Sequence, residues 1–259
     1  MNASQAKAPA ALQVAGLGKS FMGVAALQDV DFTLTVGTIL GLIGPNGSGK
    51  STALDCMTGF VRPDSGRITL DGRSIFGKAP HTIARSGLAR TFQTVRLYDE
   101  LTLDEHIELA LRGLTGAKRP RRGRRGRADL DRAMAWLTLF GLERLRAAPA
   151  GILSYGQKKL LTLASVLGAQ PRIAMLDEPL AGVNPRVIDL IRDAVLQANK
   201  EGQTFLIIEH NVEFITTCCS SVVVLDAGRK LAEGPPSVIR DDPAVYEAFL
   251  GRKADHDED

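Results

Sequence analysis

Ile39-Leu-Gly-Leu-Ile-Gly44-Pro-Asn-Gly-Ser-Gly49-Lys50-Ser51-Thr52 is the stretch that decides the fold. Residues 39–43 form a continuous apolar run, the pattern of a parallel strand buried on both faces. Gly44 to Ser51 then satisfies G-x-x-x-x-G-K-[ST], and a helix is expected to open near Lys50. Each residue type answers a chemical need. Glycines let backbone N–H groups curl around phosphate oxygens, and the helix N-terminus adds partial positive charge. Lys50 reaches the β- and γ-phosphates, and the Ser51 hydroxyl is suited to Mg²⁺. Gly44, Pro45, Asn46, Gly47, Ser48, Gly49, Lys50, Ser51 and Thr52 thus predict a strand, loop and helix that hold a nucleoside triphosphate. A Gly-rich turn without a ligand is the competing reading.

Around this unit, Leu27–Leu34, Thr38–Ile43 and Arg67–Leu70 read as short strands among Gly-rich turns, pairing locally. From Thr102 to Leu167 the period becomes helical, with Leu130, Ala133, Met134, Leu137 and Phe140 on one face. After Pro171 the alternation returns: strand Ile173–Leu176, helix Pro185–Lys200 with Val187, Ile188, Ile191, Ala194, Val195 and Ala198 inward, then strand Thr204–Ile208. Val222–Asp226 and Arg229–Glu233 read as strands and Pro243–Leu250 as a final helix. The expectation is an α/β core with an inserted helical lobe, and no internal repeat adds a second core.

With 259 residues the chain can bury a sizeable core. Cys56, Cys218 and Cys219 have no CxxC or Cys/His spacing, so neither a disulfide framework nor a zinc site is implied. No apolar run approaches the ~20 residues that span a bilayer, so any membrane role is peripheral. Met1–Gln13 has no apolar core of a signal peptide, and residues 1–11 are expected to be disordered. The net charge of +3 conceals a local concentration, KRPRRGRRGR at Lys118–Arg127. Its Gly and Pro argue for a solvated loop, with anionic lipid or nucleic acid as alternative contacts. Residues 252–259 form an acidic tail.

Ile173-Ala-Met-Leu-Asp177-Glu178-Pro179 places two acids at the carboxyl end of an apolar strand, the edge of a parallel sheet where ligands bind. Asp177 is expected to hold Mg²⁺ directly or through water, and Glu178 to orient and deprotonate the water attacking the γ-phosphate. The alternative makes both acids the start of a helix with Pro179 at its first position.

Leu153-Ser154-Tyr155-Gly156-Gln157, some twenty residues before the acid pair, resembles the signature Leu-Ser-Gly-Gly-Gln of the ABC ATPase family. Alone, the pentapeptide reads as a helix start with Ser154 as N-cap. The order of loop, signature and acid pair over residues 12–251 carries the resemblance. It implies a P-loop NTPase core of the RecA-like, ABC type with an antiparallel β subdomain and a helical subdomain at about 94–167. It also implies a short C-terminal extension at about 234–251. Phe21 resembles the aromatic residue that stacks on adenine, a core phenylalanine being the alternative. Gln93 resembles the glutamine that senses Mg²⁺ and faces the membrane partner, and His210 the switch histidine at the γ-phosphate.

By the same resemblance, Ser154, Tyr155, Gly156 and Gln157 complete the ATP site of a second ATPase subunit. The pair is head-to-tail, a homodimer or heterodimer. Transmembrane permeases are the direct partners and a solute-binding protein an indirect one, on the cytoplasmic face of the membrane. Nucleic acid is not an expected partner. Ala89-Arg-Thr-Phe-Gln-Thr-Val-Arg-Leu97, Ser154-Tyr-Gly-Gln157, Ala181-Gly-Val-Asn-Pro185 and Glu209-His210 look most like ATPases of branched-chain amino acid and urea importers. An exporter ATPase of the lipopolysaccharide-transport type, a soluble ABC ATPase acting on nucleic acid and a non-catalytic nucleotide-binding module remain as alternatives. Tyr155 replaces the family's glycine, and Ala181-Gly-Val-Asn184 departs from Ser-Ala-Leu-Asp, which leaves the effect of both on turnover open.

Overall fold

The structure is a computed structural model that describes residues 9–115 and 124–250. In chain order its elements are β1 (Ala10–Phe21), β2 (Val24–Thr35), β3 (Ile39–Ile43), α1 (Lys50–Thr58), β4 (Ser65–Leu70), β5 (Arg73–Ser74), α2 (Pro80–Arg85) and β6 (Leu88–Arg90). The helical lobe contributes α3 (Leu103–Thr115), α4 (Arg124–Leu139) and α5 (Tyr155–Gly168). Then come β7 (Ile173–Asp177), α6 (Pro185–Lys200), β8 (Thr204–Ile208), α7 (Val212–Cys218), β9 (Ser221–Asp226), β10 (Arg229–Gly234), α8 (Pro236–Arg240) and α9 (Pro243–Leu250).

One sheet has the order β2-β1-β4-β5 and is antiparallel; the other runs β10-β9-β3-β8-β7-β6 and is parallel from β9 to β6. The parallel strands are apolar on both faces for a physical reason. Ile39, Ala174, Leu176, Phe205, Ile207, Val222 and Val224 pack toward the helical side, while Leu40, Leu42, Met175, Leu206, Ile208, Val223 and Leu225 pack toward α1 and the antiparallel sheet. Alternate side chains point to opposite faces, so a sheet covered on both sides needs a continuous apolar strand. In the order β3-β8-β7 the carboxyl ends lie side by side, and the phosphate loop, His210 and the acid pair leave from that one edge.

Two expectations need correction. The segment 1–11 is not disordered at its end: the Val36 N–H donates to the Pro9 carbonyl at 3.0 Å, Ala10 pairs with Thr35 and Ala11 is buried. β1 escaped the sequence reading because its alanines, Gly16 and Gly18 have low strand propensity, which pairing on both edges overrides. Residues 1–8 lie outside the described residues. Within the basic run, Arg124–Arg127 are helical, the first turn of α4. One interior glycine costs only ~1 kcal/mol relative to alanine, and α4 recovers this by burying Ala133, Leu137 and Phe140. The remainder, 118–123, and the acidic tail 252–259 lie outside the described residues.

Candidate active site

The phosphate loop is built on forced backbone geometry. Gly44 has φ +150°, and a Cβ there would collide with the carbonyl oxygen of Leu225. Gly49 caps α1 in the left-handed region without a side-chain cap, and the first turn carries no acid. Such a helix N-terminus keeps its partial positive charge for an anion. The buried Lys50 ammonium donates to the carbonyls of Gly44 and Pro45, each at 2.8 Å, and to Ser48 Oγ at 3.4 Å, so it lies folded across the loop. Ser51 is exposed and Thr52 half-buried at the same helix start.

Asp177 ends β7 with its side chain only 9% exposed. Its N–H donates to Thr91 Oγ1 at 3.2 Å, and Oδ2 accepts from Arg90 at 2.8 Å. Glu178 follows with φ +46°, unusual for a residue bearing a side chain. Its N–H donates to the Ile208 carbonyl at 2.9 Å, extending the β7–β8 pairing. The helix-start alternative for the acid pair fails, since 178–180 form a bend and turn and α6 begins at Pro185. Glu178 Oε2 accepts from Gln93 Nε2 at 2.6 Å, and Oε1 lies 2.8 Å from His210 Nε2. An ionised carboxylate only accepts, so the proton of that second bond sits on His210 Nε2. The expected catalytic residues Glu178, Gln93 and His210 are therefore in one hydrogen-bonded group.

Phe21 is 46% exposed at the tip of the β1–β2 hairpin, which removes the core alternative. Lys19 Nζ stands 5.2 Å from its ring, and Ala26 and Leu27 of β2 abut Gly49, placing the hairpin beside the phosphate loop. The signature lies on the helical lobe. Ser154 is the N-cap of α5 in a capping box: its N–H donates to Gln157 Oε1 at 2.9 Å, and its Oγ accepts the Gln157 N–H at 3.4 Å. Ser154 and Tyr155 are exposed, and Gly156 packs against Val187 of α6.

The sequence profile of the family described as ABC transporter matches residues 27–181, more than half of the chain. The chain belongs to the ABC transporter family. A second profile, for the branched-chain amino acid ATP-binding cassette transporter, matches residues 229–255 of this ATPase. The high-affinity branched-chain amino acid transport ATP-binding protein BraF of Pseudomonas aeruginosa is 39% identical over 250 residues, covering 93% of this chain and 97% of that protein. The corresponding protein LivG of Escherichia coli is 37% identical over 248 residues, with the same 93% and 97% coverage. A nucleotide-free ATP-binding cassette from an ABC transporter superposes with a TM-score of 0.80 at 31% identity, covering 93% of this chain and 99% of that one. The fold expected from the sequence is therefore the fold observed.

Three residues of the ATPase site escaped the sequence reading. Arg90 forks between Asp177 Oδ2 at 2.8 Å and Asp55 Oδ1 at 2.5 Å, and donates to Thr58 Oγ1 at 3.1 Å. Lys159, on α5, donates to the Glu178 carbonyl at 2.7 Å and the Pro179 carbonyl at 3.3 Å. Burial pulls its pKa down, against the attraction of Glu209, Glu178 and Asp177. Glu209, buried, accepts backbone N–H groups from both loops around it. Arg90 and Glu209 lie inside stretches that carry the family resemblance, but neither had a role of its own there, and Lys159 lies in no such stretch; long-range pairing gives all three their place.

The donors suit the ligands. An uncapped helix end beside Lys50 favours a polyanion, and Ser51, Gln93 and Asp177 offer the oxygen atoms that Mg²⁺ prefers. Among the described residues no group of three His, Cys, Asp or Glu side chains forms a metal cage.

Proposed function

We propose that this ATPase powers a branched-chain amino acid importer by binding ATP with Mg²⁺ and hydrolysing it. The carrying observation is Glu178, held by Gln93 and His210 at the sheet edge that also carries the phosphate loop and Asp177. In this reading Phe21 stacks on adenine, and residues 44–52 hold the triphosphate, with Lys50 at the β- and γ-phosphates. Ser51, Gln93 and Asp177 hold Mg²⁺, which supplies neutralisation of developing charge on the phosphate oxygens. Glu178 takes the proton from the attacking water. Each of its oxygens keeps a further lone pair beside the bonds to Gln93 and His210, so Glu178 can accept that proton while both neighbours hold it, and in this reading His210 also faces the γ-phosphate.

The exposed Ser154 and Tyr155, with Gly156 and Gln157, complete the site of a second ATPase subunit in a head-to-tail pair with two-fold symmetry. ATP favours the closed pair by its differential affinity, which moves the membrane partners; hydrolysis restores the open one. No helix among the described residues is long and apolar enough to cross a membrane, so the permeases would supply the pathway. Their docking site in this reading is an apolar groove of about 520 Å³ between α/β core and helical lobe, lined by Phe60, Ile83, Leu88, Phe92 and Val166. Phe60 and Phe92 meet edge-to-face at 5.5 Å, and Gln93 follows directly on Phe92. The working location is the cytoplasmic face of the membrane, and cargo reaches the permeases through a solute-binding protein.

Glu178→Gln tests the chemistry. It should keep ATP affinity, lower turnover by at least ~100-fold as loss of a general base does, and accumulate ATP-dependent dimers. Near-wild-type steady-state hydrolysis refutes the assignment. For transport, chains co-purifying from membranes identify the partners by mass spectrometry: hydrophobic permeases support the importer, and soluble or nucleic-acid-bound partners alone overturn it.

A further inference from the structure

We propose that Glu209 is a positioning residue that sets the separation of His210 from Glu178 by stapling the two loops that carry them; this rests on the hydrolytic reading above. The carboxylate is 4% exposed, at the point where the chain leaves β8. Its two oxygens face different loops. Oε1 accepts the N–H of Leu180 at 2.7 Å, two residues after Glu178. Oε2 accepts the N–H of His210 at 2.9 Å and, more weakly, that of Asn211 at 3.4 Å.

Sheet pairing ends where this staple begins. The last ladder bond is the Glu178 N–H to the Ile208 carbonyl, after which neither loop has a strand partner to fix it. The Glu178 backbone also sits in the left-handed region, which costs ~1–3 kcal/mol for a residue with a Cβ and persists only when the surroundings over-determine it. Lys159 holds the carbonyls of Glu178 and Pro179 from one side, and Glu209 holds Leu180 from the other. The same carboxylate fixes His210 at its backbone, so the 2.8 Å contact between His210 and Glu178 is set by one side chain acting on both. A buried carboxylate is a costly filler. It is tolerated here because charge-assisted backbone N–H bonds and the nearby Lys159 ammonium compensate it.

Glu209→Gln keeps the shape but turns one acceptor into an NH₂ group facing an N–H, so one arm of the staple is lost. Glu209→Asp keeps the charge but is one methylene too short to reach both loops. Both variants should lower kcat by ~10- to 100-fold, as displacement by about 1 Å at a catalytic group does. Calorimetric ATP affinity should stay within about 3-fold, because the phosphate loop is untouched. The deciding measurement is a double-mutant cycle with His210→Ala, read as single-turnover phosphate release. A residue that acts by placing His210 against Glu178 should add less than about 2-fold once His210 is gone. Losses that multiply in the double variant overturn the proposal, as does full turnover in Glu209→Asp or a parallel loss of ATP affinity. If the wild-type chain itself hydrolyses no ATP, or Glu178→Gln is fully active, the hydrolytic reading fails instead, and the two failures are told apart.

Discussion

Arg90→Ala should destabilise the protein by about 3 kcal/mol, at the lower end of the ~3–5 kcal/mol cost of removing one partner from a buried ion pair. The guanidinium side chain is 8% exposed and is shared by Asp177, equally buried, and Asp55, which keeps partial access to water. Removing it strips a nine-tenths-buried carboxylate of its hydrogen-bonded countercharge, leaving only the more distant attraction of Lys159, while water relieves the other; hence the lower end. The rings of Phe92 and Phe60 at 5.0 and 5.9 Å lose a cation as well, a smaller effect. With a urea m-value of ~2–3 kcal/mol/M, the unfolding midpoint should fall by roughly 1–1.5 M. Arg90→Lys should lie between, since one ammonium can serve only one of the two carboxylates. Arg90→Ala combined with Asp177→Asn should recover part of the loss, because the cause is the stranded charge. A midpoint within about 0.2 M of wild type for Arg90→Ala, or a double variant less stable than the single one, would refute the reasoning.

Lys50→Ala should weaken ATP binding at least ~10-fold by calorimetry, since a cation is lost from a site of low water content; unchanged affinity contradicts its placement. Gly44→Ala should abolish ATP binding and lower the unfolding midpoint, because the new Cβ meets the Leu225 carbonyl backbone rather than a movable side chain; a stable, ATP-binding variant would show the loop to be pliable. Burial pushes the thiols of Cys56 and Cys218 up from 9.0 to about 11. At pH 8 their thiolate fraction is then ~100-fold below that of a free cysteine, so a disulfide reagent should label them only after denaturation, and rapid native labelling would contradict their burial.

Periodicity and motif revealed the two-faced apolar strands, α6 with its buried Ile191, Ala194 and Val195, and α9 with the bounds given by the sequence. Those signals are local, and local signals survive without knowledge of partners. β1 did not show itself, because Gly16 interrupts it with a left-handed bulge tied to Asp31 and Gly18 is held by its pairing with Ser65 of β4, neither of which propensity reveals. The site divides in the same way. Lys50, Ser51, Asp177 and Glu178 announce themselves by spacing, whereas Phe21, Gln93 and His210 needed the family resemblance. Arg90 and Lys159 act through bonds across 32 to 87 and 19 to 20 residues of chain, and Glu209 joins its own neighbours to Leu180 across 29, which no spacing rule encodes.

The two departures from the family pattern lie against each other. Gly182 has φ +73°, and a Cβ there would come within 3.1 Å of Tyr155 Cε1. The aromatic ring at 155 thus occupies the space that a side chain at 182 would fill. Both the ring and the left-handed backbone require glycine where the commoner pattern has alanine. Asn184 has a local reason too: its Oδ1 accepts the Val187 N–H at 3.1 Å as the N-cap of α6, a role that asparagine and aspartate fill about equally. The Tyr155 ring also faces the Lys159 ammonium at 5.7 Å, and that ammonium holds the carbonyl of Glu178. The start of α5, which carries Tyr155, and the loop carrying Glu178 are therefore packed as a unit through Lys159. Alanine at 182 would strain the left-handed backbone and push the Tyr155 ring back by a few tenths of an ångström. Restoring glycine at 155 alone would uncover Gly182 and remove the π face from Lys159. The left-handed backbone excludes alanine at 182 whatever stands at 155, so the glycine comes first in the argument and the Tyr155 ring fills the space that it leaves open.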